Sequence, residues 1–187
     1  MNSENISQFW VMGTLLIYGL LMAEYSYLLN LKVISTQNGQ FISSPVFTYF
    51  QSFSFVTTLI LAFVVWLVSS FLFHLFAILL GGEGVFRNFQ KYTGLCYAIP
   101  SIGFIIALIL FDRIDFPKDN VQDFFALNKS MIAISWIINI SSSLCFILPI
   151  PIIKYFYQIN WLKAIGSVVI PIGSIYLLGQ FFGEYIL

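Results

Sequence analysis

The sequence is poor in charge, histidine and cysteine. Only 9% of its 187 residues are Asp, Glu, Lys or Arg, against about 25% in an ordinary soluble domain. Eight Lys/Arg balance eight Asp/Glu, so the chain has no basic face with which to hold nucleic acid. A single histidine, His74, cannot build a His-based zinc site without carboxylate or thiolate helpers, and none lies near it in sequence. The two cysteines, Cys96 and Cys145, sit in apolar runs outside any CxxC spacing and read as small buried hydrophobes. No G-x-S-x-G, H-E-x-x-H or GxxxxGK[ST] occurs. Together these absences predict a non-enzyme with no metal, no cofactor and no catalytic residues.

What the chain has instead is apolar bulk. Apolar residues make up 59% of it and aromatics 19%, with 21 Phe, and the mean hydropathy is +0.92. A soluble globule could not hide that surplus. The apolar residues fill close to five stretches of about 20, the length that crosses a ~30 Å hydrocarbon layer. The predicted fold is all-α: a polytopic bundle of five transmembrane helices forming one membrane domain over residues 1–187.

The predicted spans are 9–29, 53–80, 94–111, 130–153 and 164–182. The first eight residues carry no Lys or Arg, so the first run reads as a span rather than a secretory signal. A loop over 30–44 follows, with Gln37-Asn38-Gly39-Gln40 as its turn. Ser44-Pro45 reads as an N-cap and a first-turn proline, and the aromatic start of that helix (Phe47 to Phe55) is expected in the interface or accommodated by tilt. Gly81-Gly82-Glu83-Gly84 stops the second span. Pro100 is expected to kink the third span, with Ser101 helping to re-satisfy its backbone. Asn120 to Asp123 resembles a capping pair opening a short interfacial helix, and Pro149-Ile150-Pro151 closes the fourth span. Five spans put the termini on opposite sides. Arg87, Lys91, Lys154 and Lys163 lie on one side, and Lys32, Arg113, Lys118 and Lys129 on the other. Because the first set has fewer acids beside it, the N-terminus is expected to be cytoplasmic.

Polar groups inside the spans are the candidate sites. Glu24 near the end of the first span is expected to snorkel or hydrogen-bond close to the surface, a proton or cation site being the alternative. His74 shares a helix face with Ser70, Ala77 and Gly81 and is expected to hydrogen-bond across a helix pair. The helices run in opposite directions, so Glu24 and His74 should sit at different depths and not touch. Ser135, Asn139 and Ser142 form a polar stripe that must face protein or a watery cavity. Gly166, Gly173, Ser174 and the Gly179/Gly183 pair offer close-packing surfaces on the last span. Arg87 and Lys91, four residues apart, are expected to face lipid headgroups. The Gly81-Gly82-Glu83-Gly84 run lacks the GK[ST] ending of a phosphate loop.

Residues 74–87 carry a resemblance. A span ending Ala77-x-Leu79-x-Gly81-Gly82-x-Gly84-x-Phe86-Arg87, then Tyr92, Gly94, Tyr97 and Pro100, is similar to the Yip (Ypt-interacting protein) family of five-span membrane proteins, as is Trp161-Leu162-Lys163-Ala164 before the last helix. The likeness extends over residues 54–183, with a specific core of about 30 residues. It implies a non-catalytic membrane protein. Eukaryotic members bind Rab-type GTPases and serve vesicle traffic in Golgi and endoplasmic-reticulum membranes, through a long cytosolic N-terminal region where this sequence has about eight residues. The chain is thus more similar to short bacterial members, some of which resemble accessory components of efflux-type ABC transporters. The expectation is an accessory or scaffold subunit in a bacterial cell membrane, partnered by other membrane subunits and bearing Ser70, His74, Gly81, Gly82, Gly84, Ser135, Asn139 and Ser142 as packing residues. A Golgi or endoplasmic-reticulum membrane is the alternative location. A carrier or channel for a small solute or proton is the alternative function.

Overall fold

The computed structural model describes residues 7–37, 44–114 and 128–186. Within them lie α1 (Gln8–Gln37), α2 (Pro45–Leu79), α3 (Phe86–Leu95), α4 (Ala98–Asp112), α5 (Lys129–Ile147), α6 (Pro149–Tyr157) and α7 (Trp161–Ile186), and the described residues contain no strand. Taken as α1, α2, α3 with α4, α5 with α6, and α7, they give five rods long and apolar enough to cross a bilayer. The protein is an all-α, five-span integral membrane bundle.

Helix ends depart from the sequence expectation for physical reasons. α1 runs eight residues past the predicted end of its span, into the expected loop. There the half-buried Lys32 donates to the carbonyls of Phe111 and Ile114, both at 2.9 Å, and lies 4.8 Å from the centre of the Phe111 ring. A cation at the last turn of α4 complements that helix's negative end. The rest of the expected turn, and the short helix expected at 120–123, lie outside the described residues. α2 opens as predicted: Ser44 accepts from the Phe47 N–H at 3.2 Å and Pro45 takes the first turn. At 35 residues α2 is about 52 Å long, well beyond what the layer requires.

Two prolines behave differently from expectation. The third rod begins at Phe86 rather than 94, and it breaks at Cys96–Tyr97, before Pro100. Pro100 becomes the third residue of α4, where backbone N–H groups lack helical partners anyway. The carbonyls around the break are met by side chains: Cys145 Sγ donates to Cys96 O at 3.4 Å and Ser101 Oγ to Tyr97 O at 2.8 Å. Pro149 likewise starts α6 instead of ending the fourth span, because a first-turn proline has no N–H to lose and its φ suits a helix.

The rods alternate in direction. α1 packs antiparallel to α2, with Gly19 against Leu59 and Ala62, where a Cβ would come within 3.3 Å of each. It runs parallel to α4, along which Tyr18 and Tyr25, seven apart, interleave edge-on with Tyr97, Phe104 and Phe111 at centroid distances of 5.0 to 5.9 Å. Such pairs each add about 0.5–1.5 kcal/mol beyond their buried area. Three buried clusters follow one another along the bundle. Met131, Ile134, Ala107 and Phe111 hold one end, Leu15, Trp66 and Tyr97 the middle, and Phe73, Phe89, Ile153 and Tyr157 the other end.

Candidate functional site

The motif that stood out in sequence folds into a turn around one tyrosine. Gly81 has φ +90°, a left-handed conformation open to glycine, and its N–H donates to Ile78 O at 2.9 Å. Gly82 donates to Ala77 O at 2.9 Å and Glu83 to Tyr157 O at 3.3 Å. A Cβ on Gly82 would fall 2.7 Å from Tyr157 Cβ, and one on Gly84 would fall 2.5 Å from the Tyr157 ring. A side chain at Gly84 would collide with the Tyr157 ring, and one at Gly82 with Tyr157 Cβ and the Ala77 carbonyl. The turn has the geometry of a packing collar.

Tyr157, 1% exposed, joins the collar to the helices. Its hydroxyl shares a 2.5 Å hydrogen bond with His74 Nδ1. Its ring meets Phe89 edge-on at 5.4 Å, and Phe86 lies 5.1 Å from the His74 ring. One turn earlier on α2, buried Ser70 bonds Thr93 Oγ1 at 2.8 Å. The structure therefore brings Ser70, His74, Gly81, Gly82 and Gly84 to one end of the bundle, around Tyr157 and Thr93. Neither of these two was singled out from sequence, and each is far from its partner along the chain.

Beside this knot, Arg87 and Lys91 line a cleft of about 310 Å³ between the start of α1 and α3. Gln8 and Gln90 flank it and Trp66 contributes to its wall. The Trp66 indole N–H is buried without an acceptor among the described residues.

The remaining candidates lie apart from these. Ser135 and Asn139 are exposed and Ser142 half-buried, with Asn139 Nδ2 3.4 Å from Ser135 Oγ. The stripe was expected to face protein or a watery cavity. Ser135 and Asn139 line an open cleft of about 640 Å³ with Tyr25, Leu29 and Trp136, while the Ile134/Ser141/Cys145 edge of α5 turns inward. Gly166 approaches Leu80, while a side chain at Gly173 would meet no atom within 4 Å.

Glu24 lies near the middle of α1 rather than near its end, since the helix continues to Gln37. It lines a cleft of about 330 Å³ with Tyr27, Gln51 and Ser52. Gln51 is 3% exposed, and both of its amide atoms lack partners among the described residues. A glutamine inside a long apolar helix was the sequence signal for it. Glu24 and His74 do not meet: Gln51, beside Glu24, is 23 positions from His74 on α2, about 34 Å along the helix. Among the described residues no three His, Cys, Asp or Glu side chains come together in a metal-binding arrangement.

No protein family, curated protein or solved structure matches the chain.

Proposed function

We propose that this protein is a non-catalytic subunit of a larger membrane assembly, retained in it by helix–helix contacts inside the bilayer. The observation that carries this reading is the outward Ser135/Asn139 edge of a membrane-length helix. Amide and hydroxyl groups facing acyl chains lose their hydrogen bonds, and a neighbouring helix that supplies partners removes that penalty. The open Gly173 face of α7 adds a second place for close approach. The resemblance of residues 74–87 to the Yip family agrees with a scaffold role. It favours a bacterial cell membrane and the membrane subunits of an efflux-type ABC transporter as partners, while the smaller number of acids beside Arg87, Lys91, Lys154 and Lys163 favours a cytoplasmic N-terminus.

A photo-crosslinker at Ser135, activated in native membranes, is expected to capture one partner in stoichiometric yield. Asn139→Leu should reduce that yield at least several-fold while leaving the chain folded. A partner-free monomer in native membranes, or capture unchanged by Asn139→Leu, would refute the proposal.

A second reading, a carrier for a proton or small cation, is favoured by the Glu24 carboxylate beside the Gln51 amide, which has no partner among the described residues. Intramembrane acids of this kind commonly mark ion pathways. It predicts flux in proteoliposomes that Glu24→Gln abolishes. Absence of flux under proton, sodium or potassium gradients would remove this reading.

A further inference from the structure

We infer that the cleft between the first turns of α1 and helix α3 binds the phosphate of an anionic membrane lipid. Arg87 and Lys91 stand one helical turn apart on α3, on the same side, and both line the cleft. Neither makes an ion pair among the described residues. Among the described residues no carboxylate lines the cavity, and Arg87 and Lys91 are the two charges on its wall. Gln8 and Gln90 place amide donors at the same opening. Trp66 closes the inner wall of the cleft with its ring, its indole nitrogen being turned against Gly94. A phosphate satisfies this set: Arg binds two of its oxygens as a planar fork, Lys neutralises it as a point charge, and further N–H donors find the remaining lone pairs.

Inorganic phosphate offers the same chemistry, but the surroundings favour a lipid. Val11 and Met12 give the cleft an apolar wall suited to the glycerol and the first acyl carbons. Phe9 and Trp10, 77% and 67% exposed, flank it at the start of α1. Exposed aromatics at a span's end sit at headgroup level, where lipid phosphates are concentrated. The inference goes beyond general headgroup attraction and is independent of the assembly role, since it concerns a shaped cavity on this chain alone.

The test uses the full chain purified in maltoside detergent, by native mass spectrometry and thermal unfolding. Phosphatidylglycerol, phosphatidylcholine and inorganic phosphate are added separately. Phosphatidylglycerol is expected to raise the melting temperature and to remain bound at one molecule per chain. Arg87→Gln and Lys91→Gln should each weaken it roughly tenfold, the effect of losing one charge-assisted hydrogen bond. Lys154→Gln should leave it unchanged, because that ammonium lies over the Trp161 ring at 4.5 Å instead. Arg87→Lys guards against misfolding as an explanation, for it keeps the charge and should keep most of the binding. Phosphatidylcholine held as tightly as phosphatidylglycerol would overturn the inference, as would full binding by the Arg87→Gln/Lys91→Gln double variant. Inorganic phosphate stabilising as strongly as phosphatidylglycerol would overturn the lipid assignment.

Discussion

Gly103→Ala is expected to force α4 and α5 apart and to destabilise the protein by about 3 kcal/mol, the upper end for an overpacked interior. An added Cβ would lie 2.6 Å from Ser141 Cβ and closer still to Ser141 Oγ, where carbon atoms in contact need about 3.5–4.0 Å. A hydroxyl can rotate away, but Ser141 Cβ is fixed to the backbone of α5. The whole helix must therefore shift, and the antiparallel α4/α5 contact loses the close approach that association in lipid depends on. Thermal unfolding in mild detergent measures the loss. Gly173→Ala is the matched control: its new methyl would have no atom within 4 Å, so the better helix propensity of alanine should leave stability unchanged or raise it by up to about 1 kcal/mol. Ser141→Gly in the Gly103→Ala background removes the colliding atoms and should recover most of the loss. If Gly103→Ala proves as stable as the parent, or if the second substitution restores nothing, the close packing of α4 on α5 is not what holds these rods together.

The division into legible and illegible parts follows the range of the forces. Hydropathy over about 20 residues is a local property, so all five rods could be read directly, and so could the Ser44–Pro45 cap. Prolines misled because their effect depends on register. Pro100 and Pro149 are breakers in mid-helix but neutral in a first turn, and only the helix break just before each one, at Cys96–Tyr97 and at Leu148, shows which applies. Polar pairing is non-local. His74 could be recognised as needing a partner inside an apolar span, yet Tyr157 lies 83 positions away and no periodicity of a single sequence links them. The Ser135/Asn139 stripe was legible as a stripe, whereas its outward direction is set by which edge of α5 fits Gly103. Gln51 and Trp66 were missed because their significance is the lack of a partner, a property of the surroundings and not of the residue.

Tyr157→Ala is expected to have the largest effect of any single truncation, about 3–5 kcal/mol by comparison with buried aromatics elsewhere. The ring fills the gap enclosed by Gly82, Gly84, Phe89 and His74, and its removal leaves a cavity that a glycine turn has no side chains to fill. Tyr157→Phe separates the hydroxyl from the ring: it leaves His74 Nδ1 without its partner and should lose about 1–3 kcal/mol, whereas replacing both partners by apolar residues, as in His74→Phe/Tyr157→Phe, should be milder than the sum. The decisive comparison concerns the collar. Gly84→Ala should destabilise the parent strongly, because its Cβ would meet the Tyr157 ring at 2.5 Å, but in the Tyr157→Ala background that methyl enters vacated space and should cost little or even help. Such non-additivity in equilibrium unfolding means that the glycines exist to admit the tyrosine. A Gly84→Ala loss of equal size in both backgrounds would mean that the turn needs glycine for its backbone alone, and that the knot at this end of the bundle is organised around something other than Tyr157.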